Sequence, residues 1–145
     1  MTLTFNRILK PDFKNVLPFI QELTQHQNTD EVLLSRFDEM FTQNYECFEI
    51  KYNEESIGVF GLWFMTRHYI GKSCEPDHIY IDPSYRRQGF GKKVFHWIYK
   101  YALTKGCEAM ELNTYVSNFA SHKFYHNEGF ETWAYHMVKV LKDKG

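Results

Sequence analysis

Residues 86–93 read Arg-Arg-Gln-Gly-Phe-Gly-Lys-Lys. Glycines at 89 and 91 allow a ligand to approach the backbone closely, because no Cβ stands in the way. Phe90, Val94, Trp97, Ile98 and Tyr101 then recur at helical spacing, so the glycine-bearing loop opens a helix. Backbone N–H groups at a helix start, together with the positive end of its dipole, form a cradle for an anion. Arg86, Arg87, Lys92 and Lys93 add cationic side chains around it. The chemistry this predicts is the holding of a cofactor's pyrophosphate. The spacing G-x-x-x-x-G-K-S/T is absent, so a nucleotide-hydrolysing phosphate loop does not fit.

A short strand, His78 to Ile81, leads into this loop through a turn at Asp82-Pro83. Glu75, Asp77 and His78 are the proton-exchanging side chains near the start of that strand. Strict alternation puts Asp77, Ile79 and Ile81 on one face and His78 and Tyr80 on the other. Only one of Asp77 and His78 then faces a given ligand, unless a bulge intervenes.

The flanking elements follow from periodicity. Thr2 to Leu9 alternates as a first strand, and Lys10-Pro11-Asp12 stops it, with Asp12 as an N-cap. Phe13, Val16, Leu17, Ile20 and Leu23 form a helical stripe, in which Pro18 predicts a late start or a kink. After a loop at Gln25 to Asn28, Thr29 caps a second helix bearing Val32, Leu33, Phe37, Met40 and Phe41. Tyr45–Tyr52 and Ser56–Thr66 make a hairpin through Asn53-Glu54-Glu55, with Gly58 and Gly61 marking a bulge or a close approach of backbone. Arg67 to Glu75 is expected as a loop. Gly106 ends the helix after the cradle, Glu108 to Thr114 is a strand, and Ser117 or Asn118 caps a short helix through Glu128. Gly129 closes that helix, and Phe130 to Leu141 is expected as a last strand. The order β-α-α-β-β-β-α-β-α-β predicts an α/β fold with a mixed sheet, in one domain over residues 1–145. His78 to Thr114 has the length of a parallel crossover unit.

Composition narrows the classes. The chain has 145 residues, 43% of them hydrophobic, which is enough for a real core. A net charge of −1 argues against a nucleic-acid binder, whose surface would be basic overall. The 13 Phe and 10 Tyr exceed what a minimal core needs, so some are expected at a cavity or at a subunit interface. The three cysteines, Cys47, Cys74 and Cys107, form no C-x-x-C pair, so a zinc site or a disulfide framework is not expected and a reducing cytoplasm is. Val59 to Met65, the longest apolar run, is too short to span a bilayer, and the N-terminus has no signal-peptide core. His122 and His126 are one helical turn apart and read as a solvated face, so no metal is expected.

Two motifs together carry a resemblance. The pattern Arg/Gln-x-x-Gly-x-Gly/Ala stands at Arg86-Arg87-Gln88-Gly89-Phe90-Gly91, after Ile81-Asp82-Pro83-Ser84-Tyr85. Downstream lies Asn118-Phe119-Ala120-Ser121-His122-Lys123-Phe124-Tyr125, then Gly129-Phe130. In this element order the sequence resembles the GNAT superfamily of acetyl-CoA-dependent N-acetyltransferases. The wording Asp-His-Ile-Tyr-Ile-Asp-Pro is similar to the spermidine/spermine-type branch and its small bacterial relatives.

The resemblance implies a GNAT-like acyl-CoA N-acyltransferase fold and transfer of an acetyl group to a primary amine by direct attack. Acetyl-CoA would be the co-substrate. Arg86, Arg87, Gln88, Gly89, Phe90, Gly91 and Lys92 would hold its pyrophosphate, and Ile79, Tyr80 and Ile81 its pantetheine arm through their main chain. Asn118 would hydrogen-bond the cofactor as well as cap its helix. Tyr125 would protonate the departing thiolate as a general acid. Asp77 stands where relatives often place a Glu base, one methylene shorter, with Glu75, His78 or a water as alternatives. On the acceptor side the family points to Glu22, His26, Asp30, Trp63, His68, Tyr69, Trp133 and His136. The acceptor is a small-molecule or protein amine, homodimers occur among relatives, and neither nucleic acid nor membrane is an expected partner. Cys74 is the only nearby residue that could carry an acyl group, and no Cys-His-Asp arrangement supports it. The rival reading is a non-catalytic module that senses acetyl-CoA or CoA.

Overall fold

The computed structural model describes residues 2–142. The chain gathers into two compact units, residues 1–112 and 113–145. The first contains a five-stranded sheet in spatial order β1-β2-β3-β4-β5. Its strands are β1 (Leu3–Ile8), β2 (Tyr45–Tyr52), β3 (Glu55–Arg67), β4 (Gly71–Ile81) and β5 (Ala109–Met110). The first four pair antiparallel, and β5 joins β4 in parallel after a crossover through α3 (Phe90–Thr104). This is the expected mixed sheet with its crossover unit.

Each sheet face is covered because β2 and β3 carry large apolar residues on both sides. One face packs Phe48, Ile50, Phe60 and Leu62 against Val94, Ile98 and Ala102 of α3. The other packs Tyr45, Cys47, Val59 and Tyr80 against α1 (Leu17–Leu23), α2 (Asp30–Met40) and the 3-10 turn Lys10–Asn15. Pro18 acts as expected: the first turn is 3-10, and the α-helix begins only at Leu17, with the proline in its first turn. Asp12 is not the cap; Leu9 holds that position without a side-chain bond. Thr29 does cap α2, its Oγ1 accepting from the Val32 N–H at 3.2 Å.

Three expectations about strands are corrected. Arg67 to Glu75 is not a loop. Strand β3 runs to Arg67 and β4 begins at Gly71, because the Arg67–Gly71 and Thr66–Lys72 pairs extend the hairpin. Glu108 to Thr114 shortens to Ala109–Met110, with single bonds flanking it from Glu108 N to Lys72 O and from Glu111 N to Cys74 O. Pairing stops where β4 reaches Pro76, which has no N–H to offer. Phe130 to Leu141 forms no strand among the described residues. Its sequence has the β-pattern, but a strand exists only by pairing, and these residues have no ladder.

In the second unit α4 (Phe119–Asn127) starts at Asn118, whose Oδ1 accepts from the Ser121 N–H at 3.2 Å. Gly129 follows with φ +98°, a backbone conformation that glycine adopts freely. Trp133 (68% exposed), Tyr135 (88%), Met137 (89%) and Leu141 (90%) lie open beyond it, leaving apolar surface uncovered.

Candidate active site

Strand β4 organises the site. From Ser73 to Cys74 it is paired on both sides; beyond Cys74 only β3 remains its partner. The open edge of Ile79, Tyr80 and Ile81 then runs into the turn Pro83–Tyr85, where Asp82 Oδ1 accepts from the Ser84 N–H at 2.9 Å. The Ser84 hydroxyl, donating to the same oxygen at 2.6 Å, and then this N–H hold the Asp82 carboxyl below its usual range. The loop ends at Gly89, which is left-handed with φ +75° and caps α3 without a side-chain bond. The first-turn amides of α3 therefore have no side-chain cap. A Cβ added at Gly89 or Gly91 would meet nothing within 4 Å, so the space over this helix start is open.

These residues fit a CoA pyrophosphate: the amides of one helix start have no side-chain cap, two glycines leave clearance over it, and four cationic residues adjoin it in sequence. The cations are not equivalent. Arg86 donates from Nε to the Ile81 carbonyl at 2.9 Å and stacks its guanidinium 5.2 Å from the Tyr80 ring centre. It ties the loop to the strand, and it already occupies the Ile81 oxygen. Arg87 carries the strained φ of +65°.

At its other end, the open stretch of β4 begins with a bulge. Gly61 of β3 faces His78 while Leu62 faces Pro76, so Asp77 is the extra residue. This overturns strict alternation. Trp63 Nε1 donates to Asp77 Oδ2 at 3.0 Å, and Trp63 packs with the α1–α2 side of the sheet. His78 faces that same side, edge-on to Phe37 of α2 at 5.7 Å. Asp77 and His78 thus share one face.

Tyr45, which stands in the sequence only as the first residue of its strand, completes the group. Tyr45 of β2 meets His78 across β3, with Oη and Nε2 2.5 Å apart. The contact passes over Gly61, where a Cβ would stand 2.2 Å from His78 Nε2 and 2.6 Å from the Tyr45 oxygen. The Tyr45 ring also leans on Trp63, with centroids 5.0 Å apart. Burial pushes the His78 imidazole down to about 4, against a smaller opposing pull from Asp77, so it is neutral near pH 7. Burial likewise raises the Tyr45 phenol, with help from Cys47 and Asp77. Asp77 itself is exposed. The signal for this cluster was Gly61, a glycine inside a strand.

Tyr125 and Asn118 lie in the second unit. The Tyr125 ring, half-buried, packs against Phe124 and Phe130, and burial raises its phenol above the usual value, so it holds a proton to donate. Cys74 is fully buried and its thiol is pushed up to about 12, mainly by burial, which opposes a nucleophilic role. Glu22 pairs with His26 at 3.1 Å, and Asp30 Oδ1 accepts from Gln21 at 2.9 Å. Tyr69 is engaged with Glu111, which Arg67 also binds at 2.7 Å. Trp133 donates to Glu131 at 3.2 Å. His122 and His126 each bond a backbone carbonyl, and no group of metal-binding side chains occurs among the described residues. A cleft of about 420 Å³ near Arg7, Glu46 and Lys105 lies at the opposite end of β4 and touches none of the candidates except Tyr45.

Residues 7–130 match the Acetyltransferase (GNAT) family. The chain belongs to this family. It is an acetyltransferase that acts on an amine. A curated relative, the thialysine N-epsilon-acetyltransferase of Bos taurus, is 27% identical over 117 residues, 70% of this chain and 68% of that protein. Among solved structures, the fold is similar to AAC(6')-Iy in complex with the bisubstrate analogue CoA-S-monomethyl-acetylneamine. The TM-score is 0.82 at 17% identity, covering 99% of this chain and 100% of that one. It is also similar to the aminoglycoside 6'-N-acetyltransferase AAC(6')-Ih of Acinetobacter baumannii, with TM-score 0.78 at 16% identity, covering 99% and 100%. No helix among the described residues is long and apolar enough to cross a membrane.

Proposed function

We propose that this acetyltransferase uses acetyl-CoA as donor, works as one domain over residues 1–145, and passes the acetyl group directly to a small cationic amine. The carrying observation is the parting of β4 from β5 after Cys74. It leaves the β4 backbone edge at Ile79 without a strand partner among the described residues, on the way to the uncapped start of α3. In this reading Ile79, Tyr80 and Ile81 line the pantetheine arm. Arg87, Gln88, Gly89, Phe90, Gly91 and Lys92 offer amides and charge to the pyrophosphate, Arg86 braces the loop, and Asn118 adds a polar contact. The family match spans both units, which supports a single functional domain.

Asp77 takes the proton from the acceptor ammonium, directly or through a water, freeing the lone pair. The amine nitrogen bonds to the thioester carbon, and the C–S bond breaks. Tyr125 gives its phenolic proton to the leaving thiolate, and the second proton that the acylated nitrogen must shed returns to the tyrosinate, directly or through a water, leaving a neutral amide and CoA thiol. No acyl-enzyme forms, and positioning carries most of the catalysis. A carboxylate beside Trp63 and Tyr45 suits a cation, and the relatives named above act on thialysine and aminoglycosides.

The test is initial-rate kinetics with acetyl-CoA and a panel of thialysine, spermidine, sisomicin and a lysine peptide. Intersecting double-reciprocal lines and a sharp loss of turnover in Tyr125→Phe are expected. Parallel lines with a trapped acetyl-Cys74, or unchanged turnover in that variant, overturn the reading. The uncovered Trp133, Tyr135 and Met137 also support a homodimer, and three free, buried cysteines support the cytoplasm. Sedimentation at micromolar concentration decides the first, with a monomer counting against it. Localisation of a tagged full chain decides the second, with export counting against it.

A further inference from the structure

Four side chains near the bulge close into a ring. Asp77 accepts from Trp63 at 3.0 Å. Trp63 leans on Tyr45, and Tyr45 bonds His78 at 2.5 Å. His78 is joined to Asp77 by the peptide bond between them. One of these links, Tyr45 to His78, crosses β3, while the indole bond joins β3 to the bulged residue of β4.

A bulged residue has no ladder partner, so its direction must be fixed by something else. Asp77 is exposed, and its carboxylate would otherwise swing on a short side chain. On one side the indole N–H holds it. On the other, the backbone is held through His78, whose ring is trapped between Tyr45, Phe37 and the bare backbone of Gly61. The trap is costly by ordinary standards: His78 Nδ1 is buried with no hydrogen-bond partner among the described residues. A residue whose only duty was to fill the core would be apolar here, since an unmatched buried nitrogen is unfavourable. Among the described residues the Tyr45 oxygen is the hydrogen-bond partner of His78, and it can be so only because Gly61 has no side chain.

We propose that Tyr45 and His78 are a positioning pair: their hydrogen bond across Gly61 fixes the bulge and so aims the Asp77 carboxylate beside Trp63. This rests on the proposed role of Asp77 as the proton acceptor. Neither Tyr45 nor His78 touches the reacting atoms in this assignment. The pair acts by keeping the carboxylate within reach of the acceptor nitrogen, where a displacement of about 1 Å costs on the order of 100-fold in rate.

The readout independent of activity is the Trp63 indole N–H resonance, assigned by its loss in Trp63→Phe. In the wild-type chain this resonance is expected to depend on pH through the Asp77 contact, and Asp77→Asn is expected to abolish that dependence. Tyr45→Phe keeps the ring but removes the oxygen. It is expected to displace the indole resonance, flatten its pH dependence, and lower kcat for thialysine or sisomicin by roughly 10- to 100-fold. The KM for acetyl-CoA is expected to stay within about twofold, because the ring lies off the cofactor edge. His78→Gln retains a side chain that can bond Tyr45 and is expected to recover most of the signal; His78→Leu is not. An unchanged indole titration in Tyr45→Phe overturns the positioning pair, as does equal behaviour of the Gln and Leu variants. A displaced resonance in Tyr45→Phe, together with full turnover in Asp77→Asn, leaves the pair standing and removes Asp77 as the base.

Discussion

Gly91→Ala separates folding from cofactor binding, because the structure gives the two opposite signs. Gly91 lies in the first turn of α3, and a Cβ there would meet nothing within 4 Å. The protein alone therefore has no reason to resist the substitution. Ala is favoured over Gly in a helix by about 0.8–1.0 kcal/mol in the interior, and by less so near the N-terminus. The apoprotein should gain up to about 0.5 kcal/mol, or a Tm rise of roughly 1–2 °C for a chain of this length. A bound pyrophosphate changes the balance, since the methyl would sit where phosphate oxygens approach the amides. If CoA binding weakens about tenfold, the stabilisation by a fixed excess of CoA falls by about 1.4 kcal/mol. The assay is a thermal melt of both chains with and without CoA, then a titration by calorimetry. The expected pattern is a higher apo Tm together with a smaller CoA-induced shift. A variant that binds CoA as tightly as wild type refutes the cradle, and one that melts well below wild type refutes the claim that the space is open.

Gly61→Ala should do the reverse, because its Cβ would lie 2.2 Å from His78 Nε2; overpacking and a lost hydrogen bond together cost about 2 kcal/mol, seen as a lower urea midpoint. For pH, the His78 value is lowered on folding to about 4, so the unfolded chain binds the extra proton. Stability is therefore complete above the unfolded value near 6.5 and is lost as pH falls towards 4, by roughly 3 kcal/mol. Denaturant melts from pH 7.5 to 4.5 should show the slope, and His78→Gln should flatten most of it. The buried thiols of Cys47 and Cys74, both pushed up to about 12, should resist a thiol reagent in the native state and react fully in urea. Rapid modification of either in the folded protein contradicts their burial.

The sequence by itself determined the parts whose causes are local. Glycines at 89 and 91 before an apolar-periodic helix raise the expectation of an anion cradle, and the second motif at Asn118–Tyr125 adds the resemblance to a family. Thr29, Asn118, Gly106 and Gly129 mark helix ends because capping and left-handed backbone depend on adjacent residues. Pairing was not legible in the same way. The pattern of Phe130–Leu141 is that of a strand, yet it has no ladder, since a strand needs a partner that its own residues do not supply. Glu108–Thr114 shortened because Pro76, on a different strand, ends the pairing that would have held it.

The bulge at Asp77 is the clearest case of a tertiary decision. Counting along β4 assigns Asp77 and His78 to opposite faces, and that count assumes an unbroken ladder. Register against Gly61 and Leu62 inserts one residue and brings both side chains to one face. Tyr45 joins them from a strand two places away in the sheet, through space that one missing methyl leaves open. Residue types set what chemistry the chain could hold. Contacts between strands distant in sequence decided which of those residues meet.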